Sequence, residues 1–305
     1  MSESVLSQFD NDVLHCFELS SAIELTLPAA KQASLNLNHG GLGLRSLHRH
    51  APAAYISSLT TSMPSDNCSV TSKVYLLAAV NAYNAMVTRT IEEADFNSLF
   101  SDATTMTKAR LQAISAPQAH AWLKVQPSPK LGLALMPDEA QVILKWWLGL
   151  PLTREGTPCP LCHHNMDAWE HHMLTCRSGG DVITRHNQLR DYIADFCHKA
   201  CLSPQIEKGS GILPKDQSRP ADILVPNWSL SRQAAFDMFV FGGWGNEAIN
   251  VLLTISKKVA TRPLNEVISN IYSRLSLTLM RQNARAILAR CVSPNTCCLF
   301  LMLMF

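Results

Sequence analysis

The chain has 305 residues, 47% of them hydrophobic and 16% charged, with a formal net charge of +2. That balance suits one or two modest folded domains. It excludes an acidic tail and any field strong enough to recruit a polyanion unaided, so nucleic-acid binding would have to come from local patches.

The N-terminal MSESVLSQFDNDVLH has no basic leader ahead of an apolar run, so the expected location is intracellular and not secreted. On that reading the ten cysteines are thiols or metal ligands rather than disulfides. Residues 1–30 carry no sharp structural signal. In LNLNHGGLGLRSLHRHAPAAYISSL, Gly40, Gly41 and Gly43 break the backbone ahead of a helix from about Ala51. The turn lacks the lysine and spacing of a phosphate loop and reads as a plain turn. Val70, Val74, Leu77, Ala78, Tyr83 and Val87 approximate helical spacing, closed by Glu92, Glu93 and Asp95. A further helix is expected over roughly 105–123. Another begins near Pro137, with Asp138 and Glu139 at its positive end and Trp146 and Trp147 as core residues.

The character changes at Pro158. Cys159 and Cys162 stand two residues apart, His171 follows after eight more and Cys176 after another four. Two cysteines at that spacing turn both sulfurs toward one tetrahedral ion, and a histidine and a third cysteine close the shell. His171 is favoured as the histidine ligand over its rival His172, because the longer gap leaves a helical turn between ligands. A closed shell has no open position, so the expected ion is a structural Zn²⁺.

Val182, His186, Leu189, Ile193, Phe196 and Ala200 share one side of the next expected helix. ADILVPNW and AAFDMFVF read as strands with a loop near 226–233, and an amphipathic helix runs from about Pro263 to Cys291. Asp222 enters the first strand and Asp237 lies inside the second. If the strands pair as a hairpin, the two carboxylates and Glu207 can bind Mg²⁺, with Lys208 or Arg219 facing a phosphate. Arg274, Arg281 and Arg285 recur on one edge of the last helix, either as a solvated edge or as phosphate contacts. The terminal CCLFLMLMF is nine residues long, less than half of a bilayer core, so no membrane anchor is expected.

The ordered series GGLGLRS, HAPAAYISSL, KWWLGLPL, CPLC…HHMLTC, GGDVITRHNQLRD, SPQIEKGSGIL, SRPADILVPNWSL and AAFD resembles the C-terminal portion of reverse-transcriptase-like open reading frames from non-LTR retrotransposons. It is most similar to elements in which a Cys-Cys-His-Cys knuckle precedes a restriction-enzyme-like endonuclease, and it covers roughly residues 28–290. The resemblance implies that Cys159, Cys162, His171 and Cys176 hold zinc. It further implies that Asp222 and Asp237 are nuclease metal ligands and that Arg185 and His186 are the basic dipeptide after the knuckle. From the helical pattern alone, His186 reads equally as a buried structural histidine.

Three departures accompany the resemblance. No polymerase core precedes residue 28 and no Tyr-Asp-Asp motif occurs, so polymerisation is not expected. Phe239 stands where such nucleases place a lysine, and the chain passes abruptly from the second strand to FGGWGNEA, with nothing in the spacing to make Lys257 or Lys258 a substitute.

The expected fold class is therefore α+β. A mostly α-helical region spans 1–150, a zinc knuckle 151–180, a truncated restriction-endonuclease-like α/β segment 181–291 and an apolar tail 292–305. The expected function is that of a retroelement-derived nucleic-acid-binding fragment, with DNA or RNA as partner, no small-molecule substrate and a nuclear site of action. Mg²⁺ would enter only if the nuclease is active, and a degenerate product without function is the remaining reading.

Overall fold

The computed structural model describes residues 3–62, 70–169, 171–206, 222–229, 232–236, 246–259 and 263–291. Those up to 112 form one compact unit and those from 113 onward a second. Helix predominates, with one small antiparallel sheet, so the class is α+β. No described helix is long and apolar enough to cross a membrane.

The first unit contains α1 (Glu3–Ser21), α2 (Leu27–Ser34), α3 (Leu47–Ser62), α4 (Val70–Ser101) and most of α5 (Thr105–Ile114). α1 was not expected from the sequence, although Leu6, Val13, Leu14 and Phe17 recur at helical spacing on its half-buried side. α2 begins at Thr26, whose hydroxyl accepts the Ala29 N–H at 3.4 Å, with Pro28 in the first turn. The glycine segment then folds back on α2. Leu42 and Leu44 donate to the Ala33 carbonyl and Gly43 to that of Leu35. A Cβ on Gly41 would lie 1.9 Å from the Leu35 carbonyl oxygen, so only glycine fits. With these amides consumed internally, the segment is the plain turn expected. Buried Glu92 accepts from the Asn36 side chain and pairs with Arg45 at 3.1 Å, fastening the turn to α4.

The second unit contains α6 (Pro137–Leu148), α7 (His171–Thr175), α8 (Asp181–Lys199), α9 (Asn246–Val259), α10 (Leu264–Leu288) and strands β1 (Gln205–Ile206), β2 (Ile223–Ser229) and β3 (Arg232–Phe236). The strands pair antiparallel in the order β1-β2-β3, with Ile223 opposite Phe236 and Val225 opposite Ala234. The expected loop near 226–233 is largely strand. The register shifts between Val225 and Ser229, where Pro226 has no N–H to offer the ladder. The helix expected over 105–123 is also two pieces: α5 ends at Ile114 and a 3₁₀ turn covers Ala119–Lys124. The expected α-helix onset near Pro263 holds, while α9 was not foreseen.

α10 is the axis of this unit. Leu275 through Met280 are all buried, as they must be in a helix enclosed on every side, and α6, α8, α9 and the 119–124 turn all pack against it. Trp147 is fully buried and meets Trp122 edge-to-face at 5.4 Å and Trp146 at 6.3 Å.

α6 is fixed to α10 by a charge. The Glu139 carboxylate, 4% exposed, accepts the Met136 N–H at 2.9 Å and the Arg285 Nε–H at 2.7 Å. Arg281 stands 3.9 Å from its other oxygen. Glu139→Ala removes the cap and leaves two arginines without their counter-charge. Denaturant unfolding of the variant is expected to show a loss of about 2–4 kcal/mol, with Glu139→Gln between the two.

Candidate metal centre

The centre is assembled from a hairpin and a single helical turn. Pro158 and Asn165 bridge the two arms. Within the turn, the Cys159 N–H donates to the His164 carbonyl and the His163 N–H to that of Cys159, both at 2.8 Å. His163 takes a left-handed φ of 63° to close it. Further out, Met166 N–H donates to Thr157 at 2.9 Å, Gly156 N–H to Met166 at 3.0 Å and Leu152 N–H to Ala168 at 2.8 Å. Both sulfurs of CPLC thus project from one tight turn.

Asp167 starts α7. Its carboxylate accepts the N–H groups of Trp169 at 3.0 Å, His171 at 3.1 Å and His172 at 2.8 Å. These are amides that a helix start leaves without intrahelical partners. The helix then carries His172 toward the hairpin.

Cys159, Cys162, His172 and Cys176 bring one ligand atom each to within 4.8 Å of all the others. The Cys162 sulfur and His172 Nε2 stand 3.2 Å apart. A tetrahedral ion bonded to sulfur at about 2.3 Å and nitrogen at about 2.0 Å needs ligand separations of about 3.5–3.8 Å. The four atoms therefore form a group that can hold a metal ion such as zinc. Cys159 and Cys176 are buried, while Cys162 and His172 are half-buried.

His172 replaces His171, and the reason is helical geometry. At about 100° per residue, His172 and Cys176 are about 40° apart around α7, whereas His171 and Cys176 are about 140° apart. The Cys176 N–H donates to the His172 carbonyl at 2.8 Å, continuing that turn, and His171 is left exposed. His164, also exposed, stacks on the His172 ring at 6.3 Å.

The thiols are electrostatically unequal. A backbone hydrogen bond at His164 favours the Cys162 thiolate, yet desolvation and the adjacent Cys159 and Cys176 sulfurs push it above the ordinary thiol value. Burial disfavours the Cys176 thiolate, but the Ser178 backbone and the Arg290 guanidinium outweigh it and bring that thiol down. Crowded sulfurs that cannot all ionise alone are what a cation resolves.

Two buried arginines grip the end of α7. Arg185 on α8 donates to the Leu174 carbonyl at 3.1 Å and to Asn283 of α10 at 3.0 Å. Arg290, just past α10 and fully buried, donates to the Ser178 carbonyl at 2.7 Å and the Cys176 carbonyl at 3.4 Å, and pairs with Asp181 at 2.8 Å. Gly179, with φ of +96°, lies beside Arg290. A Cβ there would lie 2.8 Å from Leu161 and 3.2 Å from the Asp181 carboxylate.

The other candidate site residues are dispersed or differently employed. Arg185 is corrected from a nucleic-acid contact to an internal brace, since it is only 6% exposed. Arg281 donates to the carbonyls of Gly132 and Ala134 at 2.7 and 3.0 Å, so it too is turned inward. Arg285 is exposed but held by Glu139. Arg274 is half-buried in a cleft with Phe196, Lys199 and Glu266. His186 and Asp222 meet each other, Nε2 to Oδ1 at 3.3 Å, both partly exposed. Glu207, Lys208, Arg219, Asp237 and Phe239 lie outside the described residues, as does the tail after Cys291. Asp167 and Arg290 were missed by sequence inspection. Asp167 precedes a helix start and was legible as a cap, whereas nothing local marks Arg290.

The chain matches no protein-family model and no curated protein.

His172→Ala is expected to weaken Co²⁺ binding by more than about a hundredfold, beyond the cost of losing a merely supporting residue. His171→Ala should leave it unchanged. Both are read from the visible absorption of tetrahedral Co²⁺ under chelator competition, and equal losses would refute the assignment of His172.

Proposed function

We propose that Cys159, Cys162, His172 and Cys176 hold a structural Zn²⁺, and that the chain is a retroelement-derived, zinc-dependent nucleic-acid-binding fragment. The observation that carries the first half is the closed Cys₃His group. Every tetrahedral position is taken by a protein atom, so the ion organises the fold and does no Lewis-acid chemistry. Three thiolates and an imidazole are soft and borderline donors, which suit Zn²⁺ and not Mg²⁺.

The second half rests on the motif series that resembles the retroelement reading frames, which also suggests a nuclear site of action. The knuckle lies against α8 and the end of α10, and exposed Arg154, Trp169 and Arg177 flank it. A cation can bind phosphate and an exposed indole can stack on a base. The net charge of +2 fits modest, salt-sensitive affinity.

A metal-dependent endonuclease is the second reading. It is favoured by the antiparallel pairing of β2 with β3, which sets Asp222 one residue before the Ile223–Phe236 pair. Against activity, Asp222 is already engaged by His186.

Anisotropy of labelled single- and double-stranded oligonucleotides is expected to show binding by the zinc-loaded chain that falls more than about tenfold on chelation. Supercoiled plasmid with Mg²⁺ or Mn²⁺ should remain un-nicked. Nicking abolished by Asp222→Ala would establish the endonuclease instead, and a loaded, folded chain that binds no oligonucleotide would remove the nucleic-acid reading while leaving the metal centre standing.

A further inference from the structure

From the way α10 terminates we infer that Arg290 is a positioning residue for the metal centre, and that ion occupancy and docking of the α10 C-terminal end are one coupled equilibrium. The inference rests on the metal reading above.

Arg290 has no exposed surface, and one of its guanidinium nitrogens is spent beside the centre, while Nε has no hydrogen-bond partner among the described residues. One nitrogen donates to the Cys176 and Ser178 carbonyls; the other donates to Ala286 at 2.7 Å and pairs with Asp181 at 2.8 Å. The first pair of bonds fixes the backbone on both sides of Arg177, so the direction of the Cys176 sulfur is set from α10. The next residue adds a second contact to the module: the Cys291 thiol approaches the Leu152 carbonyl at 3.9 Å. Leu152 in turn is tied to Ala168 at the base of the hairpin. The α10 end therefore touches both pieces that a shared ion joins, the hairpin with Cys159 and Cys162 and the α7 segment with His172 and Cys176.

Charge points the same way. Three thiolates and a divalent ion leave a net negative charge at a largely buried place, and a cation sealed beside Cys176 stabilises it. Without the ion, the hairpin and α7 lose their common tether, and the carbonyls Arg290 needs are free to part. Removing a buried arginine's partners leaves an uncompensated charge, so the last turn of α10 should loosen with the ion. Linkage makes the effect reciprocal: weakening Arg290 must weaken the ion by the same factor.

The test uses the full chain with Co²⁺ as probe. Arg290→Met and Arg290→Lys are titrated by visible absorption against a competing chelator. Hydrogen exchange of the parent is followed with the ion bound and after chelation. Both variants are expected to lose about ten- to hundredfold in Co²⁺ affinity, as residues supporting metal ligands do, with Lys the milder because it keeps the charge but not the two-carbonyl fork. Chelation should speed exchange at 285–291 while leaving 271–280 protected. Parental affinity in a folded Arg290→Lys, or unchanged exchange at 285–291, overturns the coupling even if Arg290→Met does not fold. A parent chain with no tetrahedral Co²⁺ signal overturns the metal reading and the coupling together.

Discussion

The second unit is organised around a buried positive charge. Arg290 lies at the point where α10, the Cys176 segment and the start of α8 converge, and its partners come from all three. Burying a guanidinium is costly unless its donors are filled, and losing one partner of such a pair costs about 3–5 kcal/mol. The surrounding chain is shaped by that requirement. Position 179 favours glycine, because its φ of +96° strains any other residue and a Cβ there would crowd the Leu161 and Asp181 side chains. Asp181 supplies both the counter-charge and an acid in the first turn of α8.

Arg185 performs the same operation from the other side. Between them, the two arginines occupy the carbonyls of Leu174, Cys176 and Ser178, the acceptors a short helix leaves open where it ends. A turn as short as α7 has no independent stability. It persists because Asp167 satisfies its amides, the arginines satisfy its carbonyls, and Met173 and Leu174 are buried. His172 and Cys176 stand on that turn, so their placement depends on partners from three separate parts of the sequence, Asp167, Arg185 and Arg290.

This dependence explains which features are readable in the sequence. The cysteine spacing is local chemistry and is fully legible, as are α6, α8 and the expected onset of α10, whose apolar stripes lie within their own windows, α6 carrying its own Glu139 cap as well. The histidine choice was also within reach, since a four-residue helical step joins His172 to Cys176 and a five-residue step does not, had α7 been read as helical. Arg185 was singled out by the resemblance alone and Arg281 by its place on a helix edge, and neither signal carries the element that packs against it. Each is turned inward by carbonyls distant in sequence: Leu174 for Arg185, Gly132 and Ala134 for Arg281. Arg290 carried no signal at all, because its role exists only once α10 meets residues more than a hundred positions earlier.

Redirecting those arginines changes what the centre itself must supply. A basic stripe on α10 would have allowed the metal module to be a passive spacer beside a phosphate-binding helix. With Arg281 and Arg285 drawn to Glu139 and to loop carbonyls, the edge of α10 is occupied in holding α6, and one carboxylate is shared between its two guanidinium groups. On the proposed reading, the rim bearing exposed Arg154, Trp169 and Arg177 is the surface the ion would organise for nucleic acid. Arg154 and Trp169 flank the hairpin and Arg177 follows Cys176, so the ion and Arg290 fix where these side chains begin. On that reading, occupancy of the centre would govern the geometry of the rim, and chelation and loss of Arg290 should disturb it by the same route.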